Sequence, residues 1–250
     1  MRGVFFKTPV ECSLEVQGDA FSQGDTVVGT FRVRNRDTAT LNVPALTVSL
    51  AHGSTKKIKA KEADAFSVLS TVATIANTEL APDQQVSIPI TIPLQINSPI
   101  FEKNQSLYLI VGNELASDAI GALLVTCIPH PHIRTVIDTL TTVFGFTDKG
   151  VTWKDNHTSY KLKAPTTRKL SLVDELLLSF QFVDDSLSLS FYFKVKSFDT
   201  SATSLNVKRG KIEVQQSWSP GEYLFGSGLM EHQFIENQIC EALAAVSTGF

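Results

Sequence analysis

Apolar and polar residues alternate along short segments through most of the chain, and this period of two constrains the fold more than any other feature. Phe31 and Val33 alternate with arginines, and residues 187–196 alternate over their whole length. Successive side chains of a strand point to opposite faces of a sheet, so these segments are predicted strands with one buried face. No helix of 10–15 residues separates the early strands, which argues against parallel βαβ winding. The pattern predicts a mainly all-β fold, an antiparallel β-sandwich.

Two segments have helical periodicity instead. Apolar residues recur at three- and four-residue spacing within 131–144, and Pro131 fits a first helical turn because its missing N–H would be unbonded there. Apolar residues at the same spacing also predict a C-terminal helix near 229–246. The order strands, helix, strands, helix predicts two lobes. We expect an N-terminal β-sandwich over 1–125 and a C-terminal β-sandwich with both helices over 126–250.

The composition excludes several classes of protein. With 22 Lys+Arg against 25 Asp+Glu in 250 residues, the formal net charge is −3, without the basic surplus of nucleic-acid-binding domains. The cysteines Cys12, Cys127 and Cys240 are too dispersed for a zinc site and fit reduced thiols. The sequence has neither a signal-peptide pattern nor an apolar run of transmembrane length. We therefore expect a cytoplasmic protein.

Common catalytic motifs do not occur in the sequence. The sequence lacks G-x-S-x-G and H-E-x-x-H, and Ser227 lies between two glycines that favour a turn. We expect no enzymatic activity and no cofactor. One alternative stays open. His130 and His132, with His157, could form part of a ligand- or metal-binding site in a β-sandwich, including that of an enzyme.

The strongest recognition candidate is the basic run Lys56, Lys57, Lys59 and Lys61, which we interpret as an exposed strand or loop. Four lysines in six residues could bind an acidic protein segment or an anionic membrane surface. The alternative is an edge strand whose lysines prevent aggregation. The neighbouring carboxylates of Glu62 and Asp64 partly offset the positive charge of the run. The apolar face of the C-terminal helix either caps a sheet or docks a partner protein.

Several fragments resemble the arrestin-fold superfamily when they are taken in order. Residues 23–29, QGDTVVG, resemble the G-[DE]-x-V-x-G entry to an early strand of that superfamily. The run from Leu80 through Ile88–Pro93, then Ser98–Pro99 and 106–111, resembles its "L-x-x-G then F-x-F-x-L-P…P-S…Y" pattern, with Asp83 in place of the usual glycine.

Three further fragments are similar to one branch, the bacterial sporulation-control arrestin-like proteins: Phe5-Phe6-Lys7, Ile128-Pro129-His130-Pro131 and Phe144-Gly145-Phe146. The resemblance implies a two-lobed β-sandwich that acts as a non-enzymatic adaptor or scaffold for other proteins, with regulation as one role. It implies no catalytic residue. A self-assembling structural protein remains a third alternative, since exposed strand edges permit it.

Overall fold

The computed structural model divides the chain into two units, Met1–Ile128 and Pro129–Phe250. Each unit has its own hydrophobic core. The structure describes residues 1–112, 119–167, 170–199 and 206–248.

The first unit consists of twelve strands and one short helix in its described residues. They are β1 (Arg2–Lys7), β2 (Val10–Val16), β3 (Phe21–Ser22), β4 (Thr26–Asn35), β5 (Leu41–Val43), β6 (Leu46–Ser54), α1 (Thr55–Ala60), β7 (Phe66–Ile75), β8 (Thr78–Leu80), β9 (Gln85–Pro93), β10 (Gln105–Gly112), β11 (Gly121–Val125) and β12 (Cys127–Ile128).

Two four-stranded antiparallel sheets form a sandwich in this unit. Their strand orders are β1–β2–β4–β9 and β11–β10–β6–β7, and two short pairs, β5–β8 and the parallel β3–β12, accompany them. Buried residues from both sheets form one core, including Leu14 and Phe31 from the first sheet and Leu50 and Leu109 from the second. This arrangement confirms the predicted antiparallel β-sandwich.

Strand β4 shows how the alternating sequence produces the sandwich. Phe31 and Val33 are fully buried, whereas Arg32 and Arg34 lie on the outer face. The Arg32 guanidinium donates to Glu15 of β2 at 2.6 Å. The charged side chains thus lie on the outer face, whereas the inner face of β4 is apolar except for Asn35, which is fully buried and donates to the Leu80 carbonyl at 2.9 Å.

Prolines mark strand boundaries and edges in the same unit. Pro44 separates β5 from β6, and Pro89 and Pro93 lie in β9 at the edge of its sheet. Proline lacks the N–H that an inner strand donates to its neighbour, so an edge position was predicted for this segment.

The second unit contains five strands and three helices in its described residues. They are α2 (Pro131–Thr142), β13 (Thr147–Lys154), β14 (His157–Lys163), β15 (Val173–Val183), β16 (Ser186–Asp199), β17 (Asn206–Trp218), α3 (Pro220–Tyr223) and α4 (His232–Thr248).

These strands form one antiparallel sheet in chain order, β13 to β17. Alternate residues of β14, β15 and β16 are buried with the apolar stripes of α2 and α4, so the two helices cover one face of the sheet. In its described residues, the architecture of this unit thus differs from the β-sandwich that was expected for 126–250. Helices lie where a second sheet was expected. Alternation fixes which face of a strand is buried but not which kind of element covers it. Two further short helices, α1 and α3, were not predicted.

Candidate partner-binding site

The basic run is part of a helix, which corrects the strand or loop predicted for it. Helix α1 (Thr55–Ala60) connects the paired strands β6 and β7, and Lys61 ends it in the left-handed conformation with φ 55°. Lysine and alanine favour helix, and only Ile58 and Ala60 suggested the alternation of a strand. The helix buries none of its residues.

One lysine of the run has an acidic partner, whereas the other three point to solvent. Lys57 forms an ion pair with Asp64, which lowers the pKa of Asp64 and raises that of Lys57. Lys56, Lys59 and Lys61 are exposed, and no carboxylate among the described residues forms an ion pair with them. Lys56 and Lys59 are three residues apart and so lie on one side of the helix. The sequence-predicted residues therefore form a local positive surface.

An exposed apolar segment follows α1 directly. Strand β7 is the outer strand of its sheet, and its Val68 and Leu69 are 44% and 48% exposed. Ala65, just before β7, accepts a hydrogen bond from the Ser54 N–H at 3.1 Å, which ties the start of β7 to the base of α1. We call α1, Lys61 and residues 66–71 the basic edge. The apolar part of this surface was not predicted, because apolar residues such as Val68 and Leu69 normally indicate burial.

The histidines at the start of α2 have a packing role. His130 is the N-cap of the helix, and its Nδ1 accepts the backbone N–H of His132 at 3.2 Å. The His130 ring centroid lies 4.8 Å from that of Phe182, and the His132 centroid lies 5.4 Å from that of Tyr223. Burial lowers the pKa of His132, against a smaller opposing effect of a hydrogen bond with the Gly228 backbone. The two imidazole rings thus join an aromatic cluster.

His157 occupies a different local environment from this pair. It follows the β13–β14 turn, in which Asp155 and Asn156 have positive φ, and its Nδ1–H donates to the Asp155 carbonyl at 2.7 Å. Within the described part of the chain, no three side chains of the metal-ligating types converge on one point. The described residues therefore bring no such three-ligand group together at the predicted histidine region.

Ser227 lies in a tight turn, as the flanking glycines predict. The Gly228 N–H donates to the Phe225 carbonyl at 2.8 Å, and the Phe225 N–H donates to that of Leu229 at 2.8 Å. Gly228 has φ +80°, which favours glycine.

The apolar face of α4 is covered within its own unit. Ile235, Ile239 and Ala242 are fully buried in the core with the sheet. Capping of the sheet is therefore the role of this face. Among the described helices, none combines the length and apolar character needed to cross a membrane.

A family model matches most of the chain. The model for the SpoOM protein aligns with residues 9–194, which include α1 and the first unit's core. The chain belongs to the SpoOM protein family. The predicted resemblance is thereby confirmed. Every lysine of the basic edge lies within the part that matches the SpoOM family, whereas β17 and α4 lie beyond it.

A solved structure of a protein with a similar name to the family supports the fold. The sporulation control protein Spo0M from Bacillus subtilis superposes with a TM-score of 0.63 at 14% identity, over 95% of this chain and 98% of that chain. At this identity the likeness shows the fold, which is arrestin-like.

Two further matches are partial, and their TM-scores are too low to bear on function. A Pseudomonas fluorescens alkylpurine DNA glycosylase matches with a TM-score of 0.29 and 12% identity, over 48% of this chain and 30% of that chain. A Listeria innocua beta-glucosidase matches with a TM-score of 0.31 and 12% identity, over 48% and 16%. No curated protein matches the chain. Neither the SpoOM model nor the Bacillus subtilis Spo0M structure is described as an enzyme.

Proposed function

We propose that this SpoOM-family protein is a non-enzymatic regulatory adaptor that binds another protein through the basic edge. The related Bacillus subtilis protein is a sporulation control protein, and we extend a control role of that kind to this chain. The observation that carries the proposal is the group of three exposed lysines beside an exposed apolar strand.

The charges of the basic edge define the chemistry of the partner. Lys56, Lys59 and Lys61 have no ion-pairing carboxylate among the described residues, so an incoming acidic segment does not have to displace an existing partner. Glu62 and Asp64 lie next in the chain, and Asp64 already neutralises Lys57. A net positive surface therefore remains, which increases the rate of encounter with an acidic protein.

Strand β7 supplies the apolar part of the same surface. Val68 and Leu69 would lose water contact on binding, which is the main favourable term in protein association. Two register shifts interrupt the pairing of β7 with β6, between Val48 and Ser49 and between Leu50 and Ala51. These irregularities disfavour continuous main-chain hydrogen bonding between β7 and an added strand. We therefore propose that the partner contacts the side chains of β7 and does not extend the sheet.

A charge-reversal variant tests the proposal. The triple variant Lys56→Glu/Lys59→Glu/Lys61→Glu and the wild type are used as baits in chemical cross-linking and quantitative mass spectrometry of extract from the native host. We expect proteins captured by the wild type to be depleted at least about tenfold with the variant, and to be released as salt is raised.

A control variant separates local charge from net charge. Lys7→Glu/Lys149→Glu/Lys163→Glu changes the net charge equally at three exposed positions outside the basic edge. It should retain the partners. If both triple variants capture the same proteins as the wild type, the basic edge is not the docking surface. If the wild type captures no protein specifically, the adaptor role itself fails.

A further inference from the structure

The outer strand β17 presents a long, regular edge. It pairs with β16 through thirteen successive residues, from Asn206 opposite Asp199 to Trp218 opposite Leu187, without a register shift. Among the strands that the structure describes, none pairs with the other side of β17. Among the described residues, no main-chain hydrogen bond from a segment other than β16 reaches residues 211–217.

Three other outer strands carry features that hinder further pairing. A register shift interrupts β13 between Asp148 and Val151, two interrupt the pairing of β7, and prolines occupy β9. Bulges, prolines and charged side chains, above all lysines, are the means by which proteins protect strand edges. Strand β17 has no bulge and no proline, so its free N–H and C=O groups suit a further strand whose charges match those of its own lysine and glutamate side chains.

The apolar residues at this edge are incompletely covered. Ile212 and Val214 point to the face that α2 and α4 cover, yet both are only partly buried. The helical layer therefore leaves part of the edge in contact with water. A further strand beside β17 would bury that remaining apolar surface.

Lys211, on the opposite face, lies among like charges. Lys211 lies directly across from Lys194 in the β16–β17 register, and Lys194 is already bound to Glu175 at 2.5 Å. Like charges at directly opposed positions are unfavourable. No carboxylate among the described residues forms an ion pair with Lys211. Glu213, two residues along the same face, accepts a neutral hydrogen bond from Gln215 at 2.6 Å and forms no ion pair with the residues that the structure describes.

We propose that β17 pairs antiparallel with β17 of a second copy of this chain, about a two-fold axis at Ile212. The five strands of each copy would then form one continuous sheet. An axis perpendicular to the sheet keeps each residue on its own face, so only residues of the same face oppose each other. With the axis at Ile212, each Lys211 faces Glu213 of the second copy, and the two Ile212 side chains meet.

The charges select this register over its neighbours. An axis at Lys211 would oppose two lysines, and an axis at Glu213 would oppose two glutamates. The Ile212 register instead forms two Lys–Glu pairs and relieves the opposition of Lys211 and Lys194. The second copy is therefore the occupant whose charges complement this edge.

Charge reversal tests the pairing without weakening the fold. Lys211→Glu places a carboxylate opposite Lys194 within the chain, which is favourable, but opposite Glu213 in the dimer, which is repulsive. Light scattering after size exclusion and sedimentation velocity should show a wild-type dimer. For Lys211→Glu we expect a dissociation constant raised about tenfold or more. Lys163→Glu, an equal charge change on β14, should dimerise like the wild type.

Complementation provides the decisive result. Glu213→Lys should raise the dissociation constant in the same way, whereas an equimolar mixture of Lys211→Glu and Glu213→Lys should form a heterodimer with the affinity of the wild type, since every opposed pair is then attractive. The double variant Lys211→Glu/Glu213→Lys should dimerise again. A wild type that stays monomeric up to hundreds of micromolar overturns the proposal, and so does a dimer that neither single variant weakens.

Cross-linking tests the register itself. In a Cys240→Ser background, Ile212→Cys should form an intermolecular disulfide, because directly opposed residues of antiparallel strands have Cα atoms about 4.5–5.5 Å apart. Val214→Cys is the control, since its two copies would lie about 14 Å apart along the strands. Equal cross-linking at both positions, or at neither, overturns the Ile212 axis.

Discussion

The carbonyl oxygen of Glu15 lies so close to Gly29 that a Cβ built on this glycine would stand 2.4 Å from it. The two residues belong to adjacent strands, where Val16 of β2 is paired with Gly29 of β4. Gly24, the other glycine of the QGDTVVG segment, has φ +89° in the preceding turn. The motif therefore needs one glycine for backbone conformation and the other for the close approach of two strands.

Gly29→Ala should destabilise the first unit. The new methyl group would meet backbone rather than a flexible side chain, so β2 and β4 must separate. Overpacking of this kind costs roughly 1–3 kcal/mol. Urea unfolding followed by circular dichroism measures the change. Gly226→Ala is the control, because a Cβ there meets nothing within 4 Å. Equal stability of the two variants would contradict the close approach.

Leu140→Ala should destabilise the second unit through its helix layer. Leu140 is fully buried in the core that α2 shares with the sheet, so truncation leaves a cavity. We expect a loss of about 2–5 kcal/mol in the free energy of unfolding. Val143, which follows the same helix, is 56% exposed, and Val143→Ala should change stability by less than about 0.5 kcal/mol. A loss for Leu140→Ala no larger than that of the control would show that α2 does not cover the sheet.

The sequence predicted those helices and strands in which the pattern of apolar residues repeats several times. The alternation in β4 and β16 and the stripe of α2 each repeat often enough to identify their structure. Helix α1 is six residues long, and two apolar positions cannot distinguish a helix from a strand. The choice of helices over a second sheet in the second unit depends on contacts between distant segments, which periodicity does not specify.

The candidate site was predictable only in part for the same reason. Four lysines in six residues are visible in the sequence, but the ion pair of Lys57 with Asp64 depends on how the chain turns after α1. The exposure of Val68 and Leu69 contradicts their apolar character, so no composition rule predicts it. Likewise, the opposition of Lys211 and Lys194 appears only once the β16–β17 register is known.

The three cysteines should differ sharply in reactivity. Burial raises the pKa of Cys12 to about 11 and that of Cys127 to about 12, whereas Cys240 is exposed. The thiolate is the reactive form, so the two buried thiols should not react at pH 8. A thiol-reactive chromogenic disulfide should titrate one group rapidly in the native protein and all three in denaturant. Cys240→Ser should abolish the rapid phase; its persistence would contradict the burial of the other two.

Stability should fall as the pH drops below about 6.5, in part because of His132. Its pKa is lowered in the folded protein, chiefly by burial, whereas the unfolded imidazole takes up a proton near the ordinary value of about 6.5. Between these two pKa values the unfolded state binds more protons, so the free energy of unfolding decreases with decreasing pH. His52, whose pKa burial also lowers, contributes with the same sign.

A comparison of slopes isolates the contribution of His132. His132→Phe keeps a ring beside Tyr223 and Phe182 but cannot be protonated. Denaturant titrations between pH 7.5 and 5.5 should show a shallower dependence of stability on pH for this variant than for the wild type. His232→Phe, at an exposed position, controls for the loss of an imidazole. If His132→Phe and the wild type have the same slope, the imidazole is not held neutral by its aromatic neighbours, and its place in the cluster at the start of α2 would need another explanation.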